Sequence, residues 1–176
     1  MMSENRSLIV YFSRTGSTRA MARIIHLNVT AGLHEIRTAE PYPVDYQAAV
    51  EQARQELESG TLPRLQARIE DMDEYRVVFL GFPVWWETMP MPVASFLDAH
   101  SMRGRIIVPF CTHEGSGMGK IETELADLCA GAEILKGLAL RGDGTGEIES
   151  VRGRKAIAAW LEKLGLLRLA DKASAA

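Results

Sequence analysis

The stretch Leu8-Ile-Val-Tyr-Phe-Ser-Arg-Thr-Gly-Ser-Thr18 decides how this chain is read. Leu8 to Phe12 is an unbroken apolar run, too short for a helix and rich in β-formers, as expected of a strand covered on both faces. Ser13 to Thr18 follows directly, and from Ser17 the apolar residues Met21, Ala22, Ile24 and Ile25 recur at helical spacing. Strand, polar loop and helix in that order open a βαβ unit. The loop carries Arg14 and gathers four hydroxyls, from Ser13, Thr15, Ser17 and Thr18, around Gly16, whose missing side chain lets backbone approach a ligand. Free N–H groups at a helix N-terminus suit a phosphate monoester. The same residue types also cap helices without any ligand, and composition alone does not separate the two readings.

Downstream, the pattern repeats. His34 to Arg37 is a candidate short second strand, and Glu40-Pro-Tyr-Pro-Val44 interrupts regular structure before a polar helix from about Asp45 to Ser59. Arg76 to Gly81, Arg105 to Phe110 and Ile134 to Leu140 are the third, fourth and fifth strands, and a terminal helix runs from about Val151 to Leu164. Such alternation packs as a parallel sheet with right-handed crossovers and helices on both faces. With 176 residues, 47% of them hydrophobic, one domain spanning 1–176 is expected, its core lying at about 7–166 and the tail from Asp171 to Ala176 frayed.

Several functions are disfavoured. A formal net charge of -3 provides no basic field for nucleic acid or anionic membranes. No apolar run approaches the roughly 20 residues of a membrane span, and the N-terminus carries no apolar signal segment, so a cytoplasmic protein is expected. Cys111 and Cys129 lack metal-type spacing and read as buried thiols, with no metal site expected. Gly115-Ser-Gly-Met-Gly-Lys120 is not a nucleotide P-loop, since Glu114 stands where Gly is needed and Ile121 where Ser or Thr is needed. No G-x-G-x-x-G follows the first strand, so one phosphate is a better expectation than a pyrophosphate. A phosphatase reading of Cys111 fails because Gly117 occupies the position six residues on, where an Arg is required.

Two further loops follow strands. Gly81-Phe-Pro-Val-Trp-Trp-Glu-Thr-Met-Pro-Met-Pro92 has three prolines and adjacent tryptophans, making regular structure improbable, and Cys111-Thr-His-Glu-Gly-Ser-Gly117 offers backbone N–H groups around two glycines. Taken together, YFSRTGST, GFPVWW and PFCTHEGSG resemble the phosphate loop and the two flavin-ring loops of flavodoxins, in order and at strand ends over nearly the whole chain. In particular the chain resembles bacterial flavodoxin-like proteins with a tandem Trp. The resemblance implies an α/β, flavodoxin-like doubly wound sheet of five parallel strands in the order 2-1-3-4-5, binding flavin mononucleotide (FMN). It places Ser13, Arg14, Thr15, Gly16, Ser17 and Thr18 at the phosphate. At the ring it places Pro83, Val84, Trp85, Trp86 and Glu87, with Trp85 as the stacking aromatic, and Thr112, His113, Glu114, Gly115, Ser116 and Gly117 at the pyrimidine edge. The alternatives are tryptophans packed as core and His113 as a solvated loop residue; if it faces the flavin, His113 is the one candidate for a catalytic role beyond the flavin itself.

Short-chain carriers in the family commonly have Gly after the stacking aromatic, where this chain has Trp86, and tandem-Trp relatives often have Gly where it has Glu87. A bulky residue tolerates positive φ poorly, so a peptide flip there is expected to be hindered, favouring two-electron chemistry. The dense acidic segment Glu70-Asp-Met-Asp-Glu74 falls before the third strand, away from the flavin, and reads as a solvated turn. Without a charged docking face, the expected role is an FMN-dependent reductase, fed by a reduced nicotinamide and serving a small acceptor such as a quinone. The alternatives are an electron carrier reduced by a reductase protein and serving a protein acceptor, and a non-catalytic flavin-binding module. Met89 to Val93 either covers the flavin across a homodimer interface or starts the next helix.

Overall fold

The structure is a computed structural model that describes residues 6–142 and 144–167. The three central strands are β1 (Arg6–Tyr11), β3 (Tyr75–Pro83) and β4 (Ile106–His113), with β2 (Gly32–Glu35) at one edge and β5 (Glu133–Ile134) at the other. All pair in parallel, in the order β2-β1-β3-β4-β5, the doubly wound order expected. An additional strand, β6 (Leu138–Arg141), also pairs with β4.

Alternation along the central strands divides the apolar residues between two layers. Leu8, Val10, Phe12, Val78, Leu80, Phe82, Ile107 and Cys111 face one side, where they meet Val93 and Phe96 of α3 (Met91–Ala99) and Ile121 and Leu125 of α4 (Ile121–Leu128). Ile9, Tyr11, Val77, Phe79, Val108 and Phe110 face the other side, against α1 (Ser17–Asn28) and α5 (Val151–Lys163). Strands covered on both faces lose their polar positions, which is why β1, β3 and β4 read as continuous apolar runs. The helix α2 (Tyr46–Ser59) packs beside α3 and starts where Asp45 accepts a hydrogen bond from the Ala48 N–H at 2.8 Å. Ser150 does the same for α5, accepting from Gly153 N–H at 3.1 Å.

Some boundaries differ from the sequence expectation. The second strand begins two residues early, at Gly32, because pairing with β1 sets its register; the extended chain continues until Ile36 N–H donates to the Tyr11 carbonyl at 2.7 Å. The fifth strand is two pieces. Leu135 N–H reaches the Ile107 carbonyl at 2.9 Å, but the next outward position on β4 is Pro109, which has no N–H to give, and Gly137 N–H turns to the Glu122 carboxylate at 2.8 Å. Strands β3 and β4 run longer than expected, so Phe82, Pro83, Cys111, Thr112 and His113 belong to strands. The acidic turn before β3 is not merely solvated, since Asp73 accepts from the buried Arg105 at 2.7 Å and Glu74 pairs with Arg6. Met89 and Val93 are buried where α3 starts, which matches the helix-start reading of that stretch. Among the described residues no helix is long and apolar enough to cross a membrane. The tail from Asp171 to Ala176 lies outside the described residues.

Candidate functional site

Because the strands are parallel, their C-terminal ends meet at one edge of the sheet, and β1 borders the point where strand order reverses. A cleft of about 470 Å³ opens there. Ser13, Arg14, Thr15 and Thr18 line it from the first loop, Pro83, Val84, Trp85, Trp86 and Glu87 from the second, and Thr112, His113, Glu114, Gly115 and Ser116 from the third. Three sequence-expected residues are elsewhere: Gly16 and Ser17 face an adjoining hollow, and Gly117 lines neither.

Most of the first loop's hydroxyls are committed within the protein. Ser13 Oγ accepts from the N–H groups of Gly16 at 3.1 Å and Arg19 at 3.3 Å, while Gly16 holds the N-cap position of α1 with φ 105° and no side-chain cap. Ser17 Oγ donates to the Gly142 carbonyl at 3.0 Å. Thr18 is buried and shares a 2.8 Å hydrogen bond with Thr112 Oγ1, joining the first loop to the third. Thr15 is the exposed hydroxyl of the set. Arg14 reaches the carbonyls of Pro43 and Val44 at 3.4 and 3.3 Å and lies 5.8 Å from the centre of the Tyr46 ring, while its Nε is buried without a partner.

The tryptophan loop is a tight hairpin. Trp85 and Thr88 exchange N–H···O hydrogen bonds, both 3.0 Å, with Trp86 (φ 48°) and Glu87 (φ 62°) between them. Positive φ at both central residues defines a turn that normally recruits Asn or Gly. This corrects the expectation that Trp86 would resist such geometry: the left-handed conformation is the one it holds, so the premise for a hindered flip is removed. Thr88 Oγ1 donates to Glu124 at 2.6 Å, anchoring the far side of the turn to α4. Trp85 is half-buried, edge-on to Phe12 at 5.6 Å and to Tyr42 at 5.7 Å, and Trp86 stands at the rim, 46% exposed. Such aromatic pairs contribute about 0.5–1.5 kcal/mol each beyond burial.

In the third loop, His113 Nδ1 accepts from the Gly115 N–H at 2.9 Å, which puts the proton of the neutral ring on Nε2. Burial pushes the Cys111 thiol far above its ordinary range, with the charge of Glu122 adding to the effect, so no thiolate is available. Burial also pushes Cys129 up to about 11.

The wall that sequence reading missed comes from α2, whose Tyr46, Ala49, Val50 and Ala53 line the cleft, with Gly142 at its far end. Small residues at one-turn spacing along a polar helix were the available signal. Behind them Tyr42 donates to Glu56, and burial followed by that carboxylate keeps the phenol protonated far above its usual range.

The sequence matches the flavodoxin family over residues 6–164. The chain belongs to that family. No curated protein sequence matches it. Among solved structures, the chain resembles a candidate flavoprotein from Bacteroides eggerthii, with 30% identity, a TM-score of 0.77, and coverage of 91% of this chain and 98% of the other. A second, from Bacteroides uniformis, shares 26% identity at TM-score 0.77, covering 90% and 98%. A flavoprotein from Lactobacillus acidophilus, solved in complex with FMN, shares the fold at 24% identity and TM-score 0.66, covering 82% and 97%.

Proposed function

We propose that the protein binds FMN in this cleft and works in the cytoplasm as an FMN-dependent reductase, taking electrons from a reduced nicotinamide and passing them to a small acceptor such as a quinone. The observation that carries this reading is the meeting, in one cleft at the switch point of the sheet, of a phosphate-suited loop and an aromatic wall. Membership of the flavodoxin family and the FMN complex of the Lactobacillus neighbour support the choice of ligand.

The residues present fit that group. Arg14 Nε is a buried donor without a partner on the wall of the cleft, an arrangement that costs about 1–3 kcal/mol unless something accepts from it. Thr15 and the start of α1 offer further donors to a phosphate. When bound, FMN supplies a ring that accepts electrons in pairs or singly and returns them to an acceptor. Trp85, held by Phe12 and Tyr42, gives that ring a rigid apolar face at little entropic cost. His113 holds a proton on Nε2 beside the third loop, where it serves as donor to the pyrimidine edge. The apolar α2 wall excludes water from one side. A modest net charge and an open cleft mouth favour a small acceptor over a steered protein partner.

A second reading, an electron carrier for a protein partner, is favoured by one feature. Val44, Tyr46 and Trp86 are exposed together around the mouth, an apolar rim on which a partner would seat. The deciding experiment is an absorption spectrum of protein loaded with FMN and freed of excess, followed by anaerobic NADPH with and without a quinone. Retained flavin that bleaches and then recovers with quinone supports the reductase. Flavin that NADPH leaves oxidised points to the carrier, and absence of retained flavin removes the proposal.

A further inference from the structure

Beside the phosphate loop lies a second hollow of about 540 Å³, which meets the flavin cleft at Thr15 and Gly142, residues that face both. Four arginines line it: Arg19 and Arg23 from successive turns of α1, Arg141 from the end of β6, and Arg154 from the first turn of α5. Two carboxylates, Glu147 and Glu149, also line it; Arg19 is shared with Glu35 outside, and Arg154 Nε donates to the Glu149 carbonyl at 3.0 Å. Among the described residues of its wall, arginines outnumber glutamates four to two. The loop between β6 and α5 contributes glycines at every second position. Gly142 packs so closely on Ser17 and Thr112 that a Cβ would fall 3.0 and 2.8 Å from their Cβ atoms, fixing this loop to the phosphate loop. Gly144 and Gly146, with φ of 82° and 78°, have nothing within 4 Å of a Cβ position and leave bare backbone along the hollow.

Planar, permanently charged guanidinium groups match phosphate oxygens in pairs, and in dinucleotide sites an arginine is what accepts a 2′-phosphate. We propose that this hollow seats the phosphate-bearing adenosine end of NADPH, the dinucleotide passing over Thr15 and Gly142 so that its nicotinamide enters the flavin cleft. The inference rests on the reductase reading above and narrows its donor from reduced nicotinamides in general to the 2′-phosphorylated one. On the reading above, Arg14 and Thr15 face the flavin cleft to receive the single phosphate of FMN, while Gly16 and Ser17 line this hollow beside the arginines.

The test reads binding without turnover. 2′-Phospho-ADP-ribose and ADP-ribose, which lack the nicotinamide, are titrated by calorimetry into the full chain with and without saturating FMN, in the wild type, in Arg23→Glu/Arg154→Glu and in the milder Arg23→Gln/Arg154→Gln. The expected result is that the 2′-phosphorylated ligand binds at least tenfold tighter than ADP-ribose, that both double variants abolish the difference, and that FMN affinity is unchanged. Equal affinities, a preference that survives charge reversal, or displacement of FMN by the ligand overturns the proposal. So does FAD binding tighter than FMN in an Arg23- and Arg154-dependent way, because the hollow would then take the adenylate of a flavin. Ligand binding here with NADPH unable to bleach the flavin would sink the reductase reading alone. Bleaching with a KM for NADPH untouched by the double variants would sink this inference alone.

Discussion

Replacing Glu87 by Gly is expected to stabilise the protein. Glu87 holds φ 62° in the two-residue turn between Trp85 and Thr88, its side chain is exposed, and among the described residues it makes no hydrogen bond or ion pair that the substitution would remove. A left-handed L-residue other than Gly or Asn costs about 1–2 kcal/mol. Glycine removes that cost but gives the unfolded chain about 0.4–1 kcal/mol more entropy to lose. The net gain is about 0.5–1 kcal/mol, which for a chain of this size raises Tm by roughly 1–4 °C. Thermal unfolding of flavin-free protein, followed by circular dichroism, measures it, with Glu87→Ala as the control that keeps the Cβ and gains nothing. If Glu87→Ala is as stable as Glu87→Gly, or both fall below wild type, the turn is not strained in this way and the reasoning is wrong.

Three further outcomes are expected. Thr18→Val and Thr112→Val each leave one buried hydroxyl without its 2.8 Å partner and should cost about 1–3 kcal/mol in urea unfolding, whereas the double variant should cost less than the sum. Trp85→Ala removes two edge-on aromatic contacts and the proposed ring platform, so a fluorescence titration with FMN should show affinity lowered by about tenfold or more. For Glu35, burial raises the carboxyl but hydrogen bonds from Arg37 and Arg19 outweigh it, and its pKa lies below the ordinary 4.5; its contribution is complete above that value and is lost as pH falls through the folded pKa. The stability gap between wild type and Glu35→Gln, measured by denaturant unfolding, should therefore close as pH is lowered from about 5 towards 3.

What the sequence made legible follows from burial. The central strands are enclosed on both faces, so apolar runs located β1, β3 and β4, and the polar segments between those runs and the next helices located the three loops of the cleft. What it hid depends on neighbours. The break in the fifth strand comes from Pro109, one strand away, and from Glu122 on α4, which takes the N–H of Gly137. The register of β2 is set by an edge pairing with only four residues on each side. At the site, residue chemistry was readable but allegiance was not: Ser17 donates to the Gly142 carbonyl and Thr18 pairs with Thr112, while Ser13 accepts two backbone N–H groups and keeps its own hydroxyl proton to donate. Trp86 misled because propensity argues against positive φ, whereas the paired hydrogen bonds of Trp85 and Thr88 impose it. The α2 wall was missed because alanines on a polar helix read as ordinary helix formers.

The hydrogen bond between Thr18 and Thr112 gives the cleft a fixed gauge length. One hydroxyl belongs to the helix that begins at the first loop and the other to the strand that ends at the third, and both are buried in the body of the protein. The first and third loops are thus held at one separation by a contact that solvent does not reach, and a change at either threonine is carried to both sides of the cleft.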